Sequence, residues 1–210
     1  MSFDLLVQKP ESQRDEAWEA RFLEAFAQTK VELVKEEPQQ GPDGWPYLLA
    51  KTGVGQEPVT KVIEWLYTRG VGLAVNTHKV LPDYIFTYGM IWNFAETGKF
   101  AAPQQAAPAG RVEIDGQKML IGEPTQKYLP GYVREVLKNF LRAQGFPNPK
   151  IVAISSPDFQ TVDLVFSAES LGGIPQAQHR VLAEAVGWFL PLHYSLLFES
   201  ERELRGFVPL

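Results

Sequence analysis

A ten-residue stretch at 101–110, AAPQQAAPAG, constrains this chain more than any other feature. It is small, Pro-rich and polar, and it has no hydrophobic period. Such a stretch has no apolar face to give to a core, so it reads as a linker. The chain then divides into an N-terminal α+β domain over 1–100, the linker at 101–110, and a C-terminal α+β domain over 111–210. For a chain of 210 residues, two small domains are a natural division.

The first half alternates helical and strand-like patterns. Trp18, Phe22, Ala25 and Phe26 recur at helical spacing, which predicts a helix from a Ser12 cap to about Gln28. VELV at 31–34 and WPYLLAKT at 45–52 read as strands. Pro58 suits the first position of a second helix, whose stripe is Val59, Val62, Ile63 and Leu66 and whose stop is Gly70. VGLAVN at 71–76 reads as a short buried strand.

The run YIFTYGMIWNF at 84–94 is the densest cluster of large side chains. Every second residue (Tyr84, Phe86, Tyr88, Met90, Trp92, Phe94) is large, and period 2 predicts a strand with a bulge at Gly89. GMIWNFAETG also reads as a helix over 89–97. On the strand reading Phe86, Met90 and Trp92 face the core. The alternative is an exposed aromatic face, with Tyr84, Tyr88 and Trp92 turned toward a partner or the second domain.

The second half has a cleaner rhythm. Asp115-Gly116 between VEI and the KMLI run is a hairpin signal, because a type I′ turn needs positive φ at both central residues. Val133, Val136, Leu137, Phe140 and Leu141 mark a helix opened by Pro130 and ended by Gly145. KIVAIS and TVDLVFS read as strands. Leu182, Ala185, Val186 and Phe189 mark a fourth helix ended by Pro191, and HYSLLFES is the last strand. From about Gln117 the order is β-α-β-β-α-β, the ferredoxin-like or split βαβ order, preceded by a hairpin strand.

Composition narrows the function classes. A chain that is 45% hydrophobic has material for a real core. A net charge of −5 and a pI near 5.3 speak against a general nucleic-acid surface. Cysteine is absent, which removes disulfides, thiol nucleophiles and cysteine-ligated metals and fits a cytoplasmic setting. The N-terminus lacks a basic region followed by a long apolar stretch, so a signal peptide is not expected. No segment approaches a membrane span.

Candidate sites are few. His78, His179 and His193 fall in three separate elements, and no metal motif joins them. Ser195 shares a strand face with His193 but lacks a nucleophile elbow and an evident acid. Gly53-Gly55 and Gly172-Gly173 precede helix N-termini, where a phosphate or carboxylate can bind. Neither pair matches a phosphate-loop or dinucleotide fingerprint. Glu36-Glu37 and Glu199, Glu201 and Glu203 read as solvated charge. The expectation is no metal and no cofactor.

The layout resembles the bacterial enhanced-serine-sensitivity family, called SseB-like. The resemblance rests on RFLEAFAQTKVEL, GWPYLLAKT and GLAVN in the first half, and on KMLIGEP, KIVAIS, DLVFS and HYSLLFES in the second. It implies a cytoplasmic bacterial protein of two domains and transfers no catalytic residues. Three readings follow. The first is a non-enzymatic interaction or regulatory protein, with a protein partner or a second copy of the chain; here the apolar tail residues Phe207, Val208 and Leu210 cover either their own domain or a neighbour. The second is a small-molecule sensor for an amino acid or anionic metabolite, using backbone N–H groups near Gly172 and Gly173. The third is a hydrolytic enzyme using His193 and Ser195.

Overall fold

The computed structural model describes residues 3–101, 119–156 and 161–210. It is an α+β protein with six α-helices and two mixed sheets among those residues. The chain forms two compact units, Met1–Ala102 and Pro103–Leu210. Most of the 101–110 stretch and the Asp115-Gly116 turn lie outside the described residues.

The first unit starts with α1 (Phe3–Val7) and α2 (Glu16–Ala27). The cap of α2 is Asp15, whose carboxylate accepts from the Trp18 N–H at 2.7 Å. A 3-10 turn at Glu11–Gln13 takes the place of the expected first helical turn at Ser12. Next come β1 (Lys30–Leu33), β2 (Gln39–Gln40), β3 (Pro46–Thr52), β4 (Glu57–Pro58), α3 (Val59–Leu66), β5 (Gly72–Val75), β6 (Tyr84–Phe86) and α4 (Tyr88–Thr97). The sheet order is β4-β1-β3-β5-β6, with β2 on β3. Strands β3 and β5 pair parallel and are joined through α3, while β1 lies antiparallel on the other side of β3. Phe22, Phe26, Leu48, Ile63, Leu66, Leu73, Phe86 and Ile91 form the centre of the core.

The run at 84–94 is therefore not one strand. It pairs as β6 for three residues and then turns into α4. Thr87 caps that helix through its hydroxyl, which accepts from the Met90 N–H, and Gly98 closes it at φ 71°. Gly89 lies inside the helix rather than at a bulge. Tyr88, Gly89, Met90, Ile91, Trp92 and Asn93 are all buried, so α4 has no polar face over that span. A helix wrapped on most sides carries no readable period, and large residues at alternate positions mimic a strand.

The second unit contains β7 (Leu120–Gly122), α5 (Gly131–Ala143), β8 (Lys150–Ser155), β9 (Val162–Ser167), α6 (Gln176–Gly187), β10 (Ser195–Glu199) and β11 (Val208–Pro209). From β7 to β10 the order of elements matches the expectation, and β11 adds a strand beyond the expected last one, but the pairing does not match. A split βαβ needs a strand between β9 and β10, and these two pair directly and parallel. Strand β7 lies antiparallel on β8 instead. All three of its residues are exposed, which suits an edge among the described strands; Leu164–Ser167 of the more central β9 are all buried. The tail is strand β11, paired with β8, and Phe207 packs with Val152, Ile154, Val165 and Leu204. Those apolar tail residues thus cover their own unit.

The two units repeat one plan without a readable residue repeat. Helix, strand, antiparallel strand, helix, parallel strand runs α2-β1-β3-α3-β5 in the first and α5-β8-β9-α6-β10 in the second. Each unit therefore has one pair of parallel strands whose carboxyl ends lie side by side. Ligand crevices of α/β sheets form outside such ends.

Candidate functional site

In the first unit the carboxyl ends of β3 and β5 are sealed by polar bonds. Asn76 follows β5 at φ 58°, the only non-glycine residue at positive φ among the described ones. Its side chain accepts from the Thr52 N–H at 2.9 Å and donates to the Thr52 hydroxyl at 2.8 Å and to Asp83 at 2.7 Å. Asp83 is buried, with its side chain only 2% exposed, and it also binds Arg14 and Lys79. Burial alone would raise the Asp83 pKa; the bonds from Lys79, Arg14 and Asn76 outweigh it and hold the carboxyl below its ordinary value. Arg14 reaches on to the carbonyls of Val7 and Lys9 at the end of α1. Every group of this cluster is bonded to another part of the same unit.

The same position in the second unit is open. A cleft of about 760 Å³ lies there, lined by residues after β9, after β10 and before β8. Ser167, the last residue of β9, donates to Glu201 at 2.7 Å, and Lys150 donates to both oxygens of Glu201 at 2.9 and 3.1 Å. Glu169 accepts from the Ser200 hydroxyl at 2.6 Å and the Glu201 N–H at 2.9 Å. These bonds hold both carboxyls below their ordinary values: the Ser200 hydroxyl first for Glu169, the Ser167 hydroxyl first for Glu201. Arg202, Asn148 and Ser170 add to the polar lining, and Phe146 and Pro147 are its apolar part.

A second, smaller cavity of about 200 Å³ lies beside β7. Leu120, Ile121, Ala153 and Val162 line it together with Tyr128. Tyr128 stacks on Tyr194 with ring centroids 4.5 Å apart, and its hydroxyl donates to the Val162 carbonyl. Desolvation raises the Tyr128 pKa, so the phenol stays protonated. Leu120 is 46% and Ile121 42% exposed.

The residues singled out in the sequence distribute differently. Gly172 and Gly173 adopt positive φ, and their N–H groups donate to the Glu169 and Ala168 carbonyls. They close the 3-10 turn Glu169–Leu171, so those amides point inward and do not form an anion loop. Gly55 answers a close backbone approach: a Cβ there would sit 1.8 Å from the Val31 carbonyl carbon. Tyr84, Tyr88 and Trp92 do not form an exposed row. Tyr88 and Trp92 are buried, and half-buried Tyr84 donates to Glu19. Among the described residues no hydrogen bond joins His193 to Ser195. The His193 ring meets Tyr194 edge-on, and desolvation lowers its pKa. His179 contacts the Ile174 carbonyl and the Phe198 ring.

Sequence reasoning missed Glu169, Lys150 and Ser167 and read Glu201 as solvated charge. The available signal was position, since Ser167 ends the strand that precedes a crossover helix. Among the described residues no group of three or more histidines and acids gathers as a metal site, and no helix is long and apolar enough to cross a membrane. No protein-family model, curated protein or solved structure matches the chain.

Proposed function

We propose that the chain is a non-enzymatic interaction or regulatory protein, SseB-like in layout, that docks a protein partner along β7. The carrying observation is that edge: Leu120 and Ile121 stand exposed and line a small cavity with Ala153, Val162 and Tyr128, rimmed by Glu123, Thr125 and Ser155, on a strand that pairs with β8 and with no other described strand. Apolar side chains on a strand edge invite an added strand from another chain, and a neighbouring pocket supplies side-chain selectivity. The two-unit division and the acidic net charge fit a cytoplasmic bacterial protein of that family. Affinity capture from cells that express the protein tests the reading. A partner held by the wild type and lost with Ile121→Asp, at unchanged melting temperature, is the expected result. Equal capture by both forms, or no specific partner, counts against it.

A second reading is a small-molecule sensor. The cleft at the carboxyl ends of β9 and β10 favours it, because the equivalent place in the first unit is filled.

A further inference from the structure

We infer that the cleft between Lys150, Glu169, Glu201 and Arg202 takes a small zwitterion, a free α-amino acid or a molecule of the same charge pattern; this narrows the sensor reading and rests on it.

Three observations converge. The first is place. The units share one plan, and in the first the carboxyl ends of the parallel pair are closed by Asn76 and Asp83. In the second, Glu201 reaches back to Ser167 much as Asn76 reaches back to Thr52, yet the space beyond it stays open. The second observation is the sum of charge. Two carboxylates, Glu169 and Glu201, and two cations, Lys150 and Arg202, line the cleft; Lys150 and Glu201 pair with each other, which leaves one charge of each sign, Glu169 and Arg202. A ligand with net negative charge would meet the carboxylates, and one with net positive charge would meet the cations. A dipolar ligand of no net charge offers Glu169 and Arg202 each its opposite.

The third is preorganisation. Glu169 is fixed by the Ser200 hydroxyl and the Glu201 N–H, one bond on each oxygen. A carboxylate accepts about four hydrogen bonds, so lone pairs remain for an ammonium. Lys150 is committed to Glu201, which leaves Arg202 as the partner for the ligand carboxylate, and guanidinium suits a carboxylate bidentately. Phe146 and Pro147 lie where a side chain of the ligand would rest.

Calorimetric titration of the full chain with a panel of neutral α-amino acids tests this, alongside their N-acetyl and carboxamide derivatives and inorganic phosphate. At least one neutral amino acid is expected to bind. Capping either end of it, Glu169→Gln or Arg202→Ala should each weaken binding about tenfold or more, the scale of a lost charge-assisted bond. Both side chains are exposed, and glutamine keeps one oxygen to accept one of the two Glu169 bonds, so melting temperature should shift little; Arg202→Ala, which removes none of the hydrogen bonds given above, separates lost binding from lost folding. Binding of phosphate alone overturns the zwitterion and leaves a sensor standing. No binding by any probe at about 10 mM, a level set by weak millimolar affinity, overturns both. Amino-acid binding that both variants retain overturns the cleft as its site.

Discussion

The guanidinium of Arg14 lies 2.8 Å from the carboxylate of Asp83, two residues 69 apart in the chain. That bond ties the segment after α1 to the loop before β6. With Lys79 on its other oxygen, Asp83 is a buried charge with two cations. Removing one partner of a buried pair costs about 3–5 kcal/mol, because the remaining charge is stranded. The cations here are more exposed than the acid, at 15% and 38% against 2%, and can turn toward water. Asp83→Asn should therefore cost the first unit about 3 kcal/mol, near the lower end of that range, in urea unfolding.

The acid limb follows from the same group. The Asp83 pKa is lowered in the fold, so its contribution is present above the unfolded value near 3.8 and fades as pH falls through the folded value. Stability of the first unit should drop below about pH 4, and the drop should be shallower in Asp83→Asn. Thermal melts between pH 7 and pH 2.5 read both. Equal slopes in the two proteins would contradict the assignment.

Asn76 combines a left-handed backbone with three side-chain bonds. Asn76→Gly keeps the backbone and loses the bonds. Asn76→Ala loses the bonds and adds about 1 kcal/mol of steric cost at positive φ. Alanine should thus be the worse variant by about that amount in denaturant melts; a glycine variant as unstable as alanine would mean the backbone is not held left-handed.

Gly55 admits no side chain, since a Cβ would overlap the backbone of Val31 and Glu32. Backbone atoms cannot rotate away as a side chain can. Gly55→Ala should displace the 53–57 loop from β1 and cost about 2–4 kcal/mol, the range of severe overpacking. Gly122→Ala, where nothing lies within 4 Å, is the matched control and should stay close to the wild type.

Much of this framework was legible in the sequence. The α2, α3, α5 and α6 stripes, and strands β1, β3, β5, β8, β9 and β10, follow from apolar spacing and from Pro and Gly punctuation. Helix α4 was harder to read because it buries six consecutive residues, which erases the polar face that reports a helix. Strand pairing was not legible at all: order along the chain does not say whether β9 and β10 meet directly or admit a third strand. The cleft was hidden for a related reason. Glu169, Glu201, Lys150 and Ser167 are ordinary residues spread over β8, β9 and the segments after β9 and β10, and only the antiparallel pairing of β8 with β9 and the parallel pairing of β9 with β10 bring them together.

Deleting residues 205–210 removes β11 and Phe207, which cover β8 and the Val152–Val165 face. The shortened chain should melt at a lower temperature and expose apolar surface to a fluorescent dye. A melting temperature equal to that of the intact chain would mean the tail is not seated in its own sheet.

Hydrogen exchange at β7 tests the docking edge most directly. The amides of Leu120–Gly122 should exchange more slowly, and those of β10 unchanged, when the captured partner is bound. A partner that binds while β7 exchanges at its unbound rate would contradict docking along that strand.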